Sequence, residues 1–454
     1  MLKKICSQFH QLHLHNDQDP YYKIRYSLTD YKDCESQDEF AKTIQTWKSG
    51  KLEAGQANKG MKYELFTGLT AIKLADATYY TIPEGAPVSC IWATNLERIQ
   101  KEMEINPTWN PNLLRQLYLT DQEKEDISLL KSFPDLECFP IDGHGSFNQL
   151  IPKLNDLSEC TKLKILELKF GDAYLGLSAL SNMHDMIYLN IEEISLANAS
   201  FLLEMPKLQY LQIEAEDGDS LSNLQNLTQL KGLVINDGTI QISELPDQPN
   251  LTKLGCTIKG QEELNSVSRF TNLEHLVLEE DYMNQLYSVA ELGKLENLKE
   301  LTLGGFFGAD YKDMEVVLNL PKIEKLKLYH SASGDNHVQI NTERLNDESS
   351  LRVLTSMKYI FENTNGKADW SFCSALTNVE EMTLFKCKLE DINFLSGLPK
   401  LKTIDLEQNK ICDYSPLMNC PELTKVYTWG NPTIDANLQD GVEIVAHETI
   451  DHWY

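Results

Sequence analysis

Residues 389–411 read LEDINFLSGLPKLKTIDLEQNKI, and inside this stretch Leu401, Ile404 and Leu406 follow the spacing apolar-x-x-apolar-x-apolar. The same spacing stands at Leu163, Leu166 and Leu168, at Met186, Leu189 and Ile191, at Leu208, Leu211 and Ile213, and at Leu230, Leu233 and Ile235. It continues through Leu251, Leu273, Leu298 and Ile323 to Val379, Leu401 and Leu423. Counted from Leu114, the first anchor advances by 22, 27, 23, 22, 22, 21, 22, 25, 25, 28, 28, 22 and 22 residues, so fourteen units obey one rule and one anchor falls at Leu351. Leu69, Ile72 and Leu74 fit as well, and Val88, Ile91 and Ala93 fit loosely, which starts the array near residue 61. The last two anchors of each unit are two residues apart and therefore point to one side of a short strand. A single unit cannot bury that face, but stacked units cover one another, pair their strands in parallel and gain stability step by step. Each leucine so buried contributes on the order of 1.5–3 kcal/mol.

The length of 454 residues suits growth by repetition better than a single core. A formal charge of -27 repels phosphate backbones and anionic lipid, so neither nucleic acid nor a membrane is expected as partner, whereas a basic protein is. Ten cysteines without a C-x-x-C pair read as reduced, mostly buried thiols. Ser7, Gln8, His10 and Gln11 interrupt any apolar core behind Lys3 and Lys4, and no window approaches the roughly 18 apolar residues of a membrane span. The expectation is a cytoplasmic protein, monomeric when free. Triplets of the glycosylation type at Asn198, Asn226 and Asn250 carry no weight in that setting.

The stretch 389–411 resembles the 22-residue leucine-rich repeats of bacterial internalins and of a eukaryotic phosphatase-regulating subunit. The resemblance extends over residues 61–432, about four-fifths of the chain. It implies an α/β leucine-rich-repeat solenoid, curved, with a parallel β-sheet on the concave face and an irregular, 3-10 or short-helical convex side. It also implies that Asn409 bonds backbone across neighbouring turns, while Gly171, Glu193, Ala215 and Asp237 stand at, or one residue before, the equivalent place in other repeats. Trp429-Gly430-Asn431-Pro432 resembles the ending of such arrays, which leaves residues 433–454 as a C-terminal cap. Residues 1–60 lack the repeat, and alternating stretches at 9–15 and 22–28 with a helix at 37–48 suggest a small α+β cap or unit.

No constellation in the sequence assembles a catalytic, cofactor or metal site, and no enzyme activity is expected. His13, His15 and Asp17 would share a strand face near His10, a set suited to zinc or nickel, yet a polar strand face on the cap explains them with nothing extra. His447 and His452 are five apart, where a zinc-protease helix needs four. Residues 50–56 lack the lysine and hydroxyl of a phosphate loop, and residues 142–146 read as a glycine-loosened turn.

What remains is surface. Positions flanking the anchors project from the sheet: Tyr118, Tyr188, Tyr210, Tyr329, Phe385, Tyr427 and Trp429, interleaved with Glu167, Glu192, Glu214, Glu279, Asp405 and Glu407. Tyr188 and Tyr210 fall at one register of consecutive units, as do Glu192 and Glu214. Rigid aromatic rings among carboxylates make a protein-binding face that selects a basic partner. The longer units from Leu273 to Val379 should put their extra residues, including Phe306, Phe307 and residues 331–339, into clustered edge loops. An inhibitor or immunity-type protein fits this reading best, a scaffold or regulatory subunit next, and an internalin-like surface adhesin least.

Overall fold

A computed structural model describes residues 57–58, 61–62, 64–66, 69–73, 90–93, 95–119, 127–140, 155, 157–168, 177–194, 196–215, 224–235, 242–280, 286–305, 310–330, 354–361, 370–433 and 438–447. Residues 1–56 of the expected N-terminal unit, with His10, His13 and His15, and also Phe306, Phe307, residues 142–146 and residues 331–339 lie outside them. Two compact units divide the chain, within residues 13–232 and 233–454, and strand Gly232–Ile235 spans the division.

In the first unit, strand Glu64–Phe66 runs antiparallel to Leu69–Lys73. From there every pairing is parallel, through Cys90–Ala93, Gln116–Leu119, Cys138–Pro140, Ile165–Leu168, Tyr188–Ile194 and Tyr210–Ala215. Ile72 pairs with Ile91 and Ile91 with Leu117, so the loosely fitting early units keep the register of the later ones. In the second unit, Lys253–Ile258, His275–Glu280, Glu300–Gly305, Lys325–His330, Ser356–Phe361, Glu381–Phe385, Thr403–Asp405, Lys425–Tyr427 and Glu443–Val445 form one parallel sheet. Strand Glu443–Val445 comes from the segment expected to be a cap. It adds a strand to the sheet rather than only closing it.

The anchors are buried as their spacing requires: Leu163, Leu166, Leu189, Leu211, Leu254, Leu301, Ile404 and Val426 are all within 1% of full burial. Among the described residues, many of the connections between strands turn in 3-10 or short α-helical segments. A recurring bond sets that turn. The amide of the first anchor donates to the carbonyl three residues back, as Leu136 N to Phe133 O (3.0 Å), Met186 N to Met183 O (3.1 Å), Leu298 N to Leu295 O (2.9 Å) and Leu423 N to Cys420 O (3.3 Å). Both the sheet and its return path thus repeat with the sequence.

One anchor differs from the sequence reading. Leu326 pairs with Met357 and Leu328 with Tyr359, which makes Leu354, fully buried, the equivalent of Ile323, and displaces Leu351 from that role. The frame Leu354, Met357, Tyr359 is apolar at all three anchors, whereas the frame from Leu351 would turn Ser356 inward. The longer units place part of their surplus in a second parallel pair, Leu286–Ser288 with Asp310–Lys312, where Tyr287 and Tyr311 stack at 6.2 Å between ring centroids.

The asparagine expected to brace the turns does so. Asn409 Nδ2 donates to the carbonyls of Leu384 (2.7 Å), Leu406 (2.9 Å) and Glu407 (3.2 Å), and Oδ1 accepts from Leu389 N (3.1 Å). Asn431, one repeat on, donates to Leu406 O (2.7 Å) and Thr428 O (3.0 Å) and accepts from Ile411 N (3.0 Å). One repeat earlier Cys387 takes the place, with Sγ 3.4 Å from Phe385 O. The residue before each, Lys386, Gln408 and Gly430, has φ of 57°, 55° and 77°, a left-handed turn that recurs with the repeat.

Candidate interaction face

Strand alternation sorts side chains into two faces. Leu189, Ile191, Leu211 and Ile213 turn into the stack, so Tyr188, Asn190, Tyr210 and Gln212 belong to the opposite face. Register lines these residues into rows across the strands. Tyr188 is the Cα partner of Tyr210 and of Ile165, and Asn190 is the partner of Gln212 and of Glu167. The predicted juxtaposition of Tyr188 and Tyr210 is therefore present, with Tyr188 buried at 5% exposure and Tyr210 half-buried.

The predicted pairing of Glu192 with Glu214 is not. The register shifts between Ile213 and Ala215, where Ala215 meets Ile194, so Glu192 and Glu193 together stand opposite Glu214. An extra residue in one strand breaks the ladder and bends the strand there. Of Tyr118, Glu167, Glu192, Glu214 and Tyr329 the structure describes the strand position only.

Asn190 and Gln212 were not foreseen. They are 1% and 2% exposed, and Asn190 Oδ1 and Gln212 Nε2 are buried without a hydrogen-bond partner. Their identities were visible in the sequence, two residues beyond the paired tyrosines, but nothing there signalled their burial.

In the second unit the corresponding row, two residues after each first anchor, reads Lys253, His275, Glu300, Lys325, Ser356, Glu381, Thr403, Lys425 and Glu443. Charges alternate along it and neighbours pair. His275 Nδ1 lies 3.2 Å from Glu300 Oε2, Lys325 Nζ 2.7 Å from Glu300 Oε1, and Lys425 Nζ 3.3 Å from Glu443 Oε1. Burial opposes ionisation of Glu300, but the hydrogen bonds from His275 and Lys325 outweigh it and hold the carboxyl down at about 2. Lys425 Nζ also sits 5.1 Å from the centroid of the Tyr427 ring. A second ladder follows the residue after the first anchor, with Lys164 to Glu137 at 2.7 Å, Lys299 to Glu274 at 2.8 Å and Lys402 to Glu380 at 2.7 Å.

The acidic positions expected to project from this sheet are largely covered. Glu279, Asp405 and Glu407 are 4%, 8% and 0% exposed, and Phe385 is 3% exposed. Asp405 turns its Oδ1 to the backbone, accepting from Glu407 N at 3.0 Å, and the Phe385 ring lies 5.3 Å from Lys386 Nζ. Tyr427 and Trp429 are half-buried and keep part of their surface open. The sheet face of the second unit is thus one of balanced charge, not the acidic one expected.

Among the described residues no group of three or more His, Cys, Asp or Glu side chains could hold a metal ion, and no helix is long and apolar enough to cross a membrane. Seven cysteines among them are free, six of them buried. Burial pushes the Cys160 thiol up to about 12 and those of Cys256 and Cys387 well above their usual range.

This arrangement of short parallel strands joined by tight turns, two of them braced by Asn409 and Asn431, defines a leucine-rich-repeat solenoid. Residues 170–441 match the family model of the leucine-rich repeat region, more than half of the 454 residues, and the chain belongs to that family. It is 23% identical over 198 residues to the mouse tubulin-specific chaperone E, a match spanning 40% of this chain and 36% of the chaperone. The chain therefore spans little more than a third of that relative's length. Among solved structures, the mouse RP105/MD-1 complex contains a chain with a TM-score of 0.50 and 18% identity, covering 80% of this chain and 68% of that one. An internalin from Listeria monocytogenes gives 0.47 and 20%, covering 68% and 85%. Both likenesses concern the fold alone. Solenoids of this kind present extended surfaces on which protein partners bind.

Proposed function

We propose that this protein is a non-catalytic binding protein that engages a basic protein partner through the outward face of strands Ile165–Leu168, Tyr188–Ile194 and Tyr210–Ala215. The observation that carries the reading is the in-register pair Tyr188 and Tyr210, set on strands that also carry Glu167, Glu192, Glu193 and Glu214. The half-buried Tyr210 ring keeps surface for a partner beside the buried Tyr188, and the acidic positions of these strands favour positive charge and speed encounter. The net charge of -27 adds long-range attraction of the same sign preference. Tight capture of one basic protein is the behaviour of an inhibitor or immunity-type protein, acting as a monomer in the reducing cytoplasm, where buried free thiols are stable. A scaffold or regulatory subunit is the second reading. It is favoured by the charge-balanced sheet of residues 233–454, which suits a different surface, and by the similarity to a chaperone described as tubulin-specific.

The test is capture from native lysate with the purified protein as bait, at low and at about 0.5 M salt, beside a Tyr210→Ala/Glu214→Lys bait. One basic protein held by wild type, and lost with the double variant and with salt, is the expected result. Capture indifferent to the double variant would move the binding site elsewhere. Several weak partners would favour the scaffold.

A further inference from the structure

The outward row that stands two positions after each first anchor changes character between the two units. Gln116, Cys138, Ile165, Tyr188 and Tyr210 are successive Cα partners on five strands. Gln116, Cys138 and Ile165 are 0%, 1% and 5% exposed, Tyr188 is as closed as Ile165, and Tyr210 is half-buried. In the other unit the same row is open, with Glu300, Lys325 and Glu443 at 31%, 58% and 62% exposure. Side-chain size is not the cause, since Ser356 and Thr403, both shorter than Gln116, keep part of their surface there. A sheet row so completely closed on its outward side has chain lying over it.

The described connections do not supply that cover. Segments Leu96–Ile105, Ile127–Ser132, Leu177–Asn182 and Leu196–Glu204 lead from one strand to the next and bury Ile99, Leu180 and Leu202 in the stack. The runs that follow the strands do not explain the contrast either, because residues 331–353 follow Lys325–His330 and still leave Lys325 exposed. What sets the closed unit apart is that it begins at His13, so it holds residues 13–56 ahead of strand Ala57–Asn58. Within them residues 20–32 read PYYKIRYSLTDYK, four tyrosines with Lys23, Arg25 and Lys32 against Asp30, in a chain of net charge -27. The closed row crosses roughly 19 Å at about 4.8 Å per strand, within reach of such a stretch at about 3.3 Å per residue. From the burial, the extent of the unit and this chemistry we infer that residues 13–56 cover the outward face of the strands from Gln116–Leu119 to Tyr210–Ala215, with the basic, tyrosine-rich stretch 20–32 on the tyrosine row, as an autoinhibitory segment that a basic partner displaces. The inhibitory role rests on the reading that this face binds a basic protein, whereas the contact itself does not. The segment brings to the face the positive charge and rigid rings that the partner is proposed to bring, and Tyr210, at the margin of the closed row, keeps surface for first contact.

The test uses the full-length protein with Tyr210→p-benzoylphenylalanine, irradiated with no partner present, and identifies the crosslinked peptide by mass spectrometry. A crosslink within residues 13–56 is expected. Crosslinks confined to residues 120–126, 141–154, 169–176 or 216–223, crosslinks to a second copy of the chain, or none at all would overturn the inference. Cys138, free and in the closed row, is a second reporter. Tyr22→Ser/Ile24→Ser/Tyr26→Ser should raise its rate of alkylation by iodoacetamide about tenfold, while Cys256, an inward anchor of the other unit, stays unreactive and shows that the stack is folded. An unchanged Cys138 rate would overturn the contact. The same variant should bind the partner captured from lysate about tenfold more tightly, because the competent state no longer has to be opened. A crosslink to residues 13–56 with unchanged partner affinity would overturn the inhibitory role. Neither reporter needs a partner, so capture indifferent to Tyr210→Ala/Glu214→Lys would sink the reading of the binding face and leave a crosslinked cover in place.

Discussion

Asn409 makes four hydrogen bonds to backbone and is 5% exposed, so its loss cannot be repaired by water without opening the turn. A buried group left without its partner costs about 1–3 kcal/mol. Asn409→Ala should therefore lose ~2 kcal/mol or more in chemical denaturation, and a loss near zero would show that the turn does not depend on the amide. Gly430 is constrained differently. At φ +77° an added Cβ would stand 2.9 Å from Gln408 Cγ and 3.2 Å from its Cα. Gly430→Ala should cost roughly 1–2 kcal/mol from backbone conformation alone, before the contact with Gln408 is counted. Glu300 predicts a pH dependence. Its carboxyl is held at about 2 in the folded chain against an ordinary 4.5, so the ionised form favours folding. That contribution is complete above pH 4.5 and is lost as pH falls toward about 2. Melting temperatures measured across this window should fall less steeply for Glu300→Gln than for wild type, and parallel curves would remove the stabilising role of the His275–Glu300–Lys325 row.

At the scale of strands and turns, the anchors carry the fold. Leu211 is fully buried between neighbouring units, and Leu211→Ala should cost roughly 2–5 kcal/mol by transfer and cavity terms. A cost below that of an exposed leucine such as Leu203, which is 49% exposed, would contradict its place in the stack. These elements were legible because a strand writes its inward face into the sequence at a period of two. Leu351 was misplaced where the unit's length left two frames open, and Ser356, inward in one frame and outward in the other, held the information that separates them. The extra residue opposite Glu214 had no such mark, since Glu192, Glu193 and Ile194 continue the strand without a glycine or proline. The burial of Asp405 and Glu407 was illegible for a different reason. It depends on backbone bonds made after the strand, as in Asp405 Oδ1 with Glu407 N, and spacing does not encode these.

At the scale of the molecule, charge is distributed in a way composition does not reveal. The chain carries -27, yet the row of nine residues from Lys253 to Glu443 sets Lys253, Lys325 and Lys425 against Glu300, Glu381 and Glu443. The tyrosine and amide rows of residues 165–214 hold no lysine or arginine at all, and the acidic strand positions stand with them. One chain thus offers sheet faces of two characters. Neither suits a phosphate backbone within so negative a molecule, and duplex DNA should show no mobility shift with this protein even at low salt. A salt-sensitive shift would put the partner class in error.

The affinity of the captured partner for wild type, for Tyr210→Ala/Glu214→Lys and for a charge swap of the exposed pair Glu291 and Lys294, which lie in the 3-10 segment Ala290–Lys294, tests the binding face most directly. Titration calorimetry should show the first variant weakened tenfold or more, on the order of 1.4 kcal/mol, and the charge swap bound like wild type. Equal affinity for all three proteins would show that the tyrosine row is not where the partner sits.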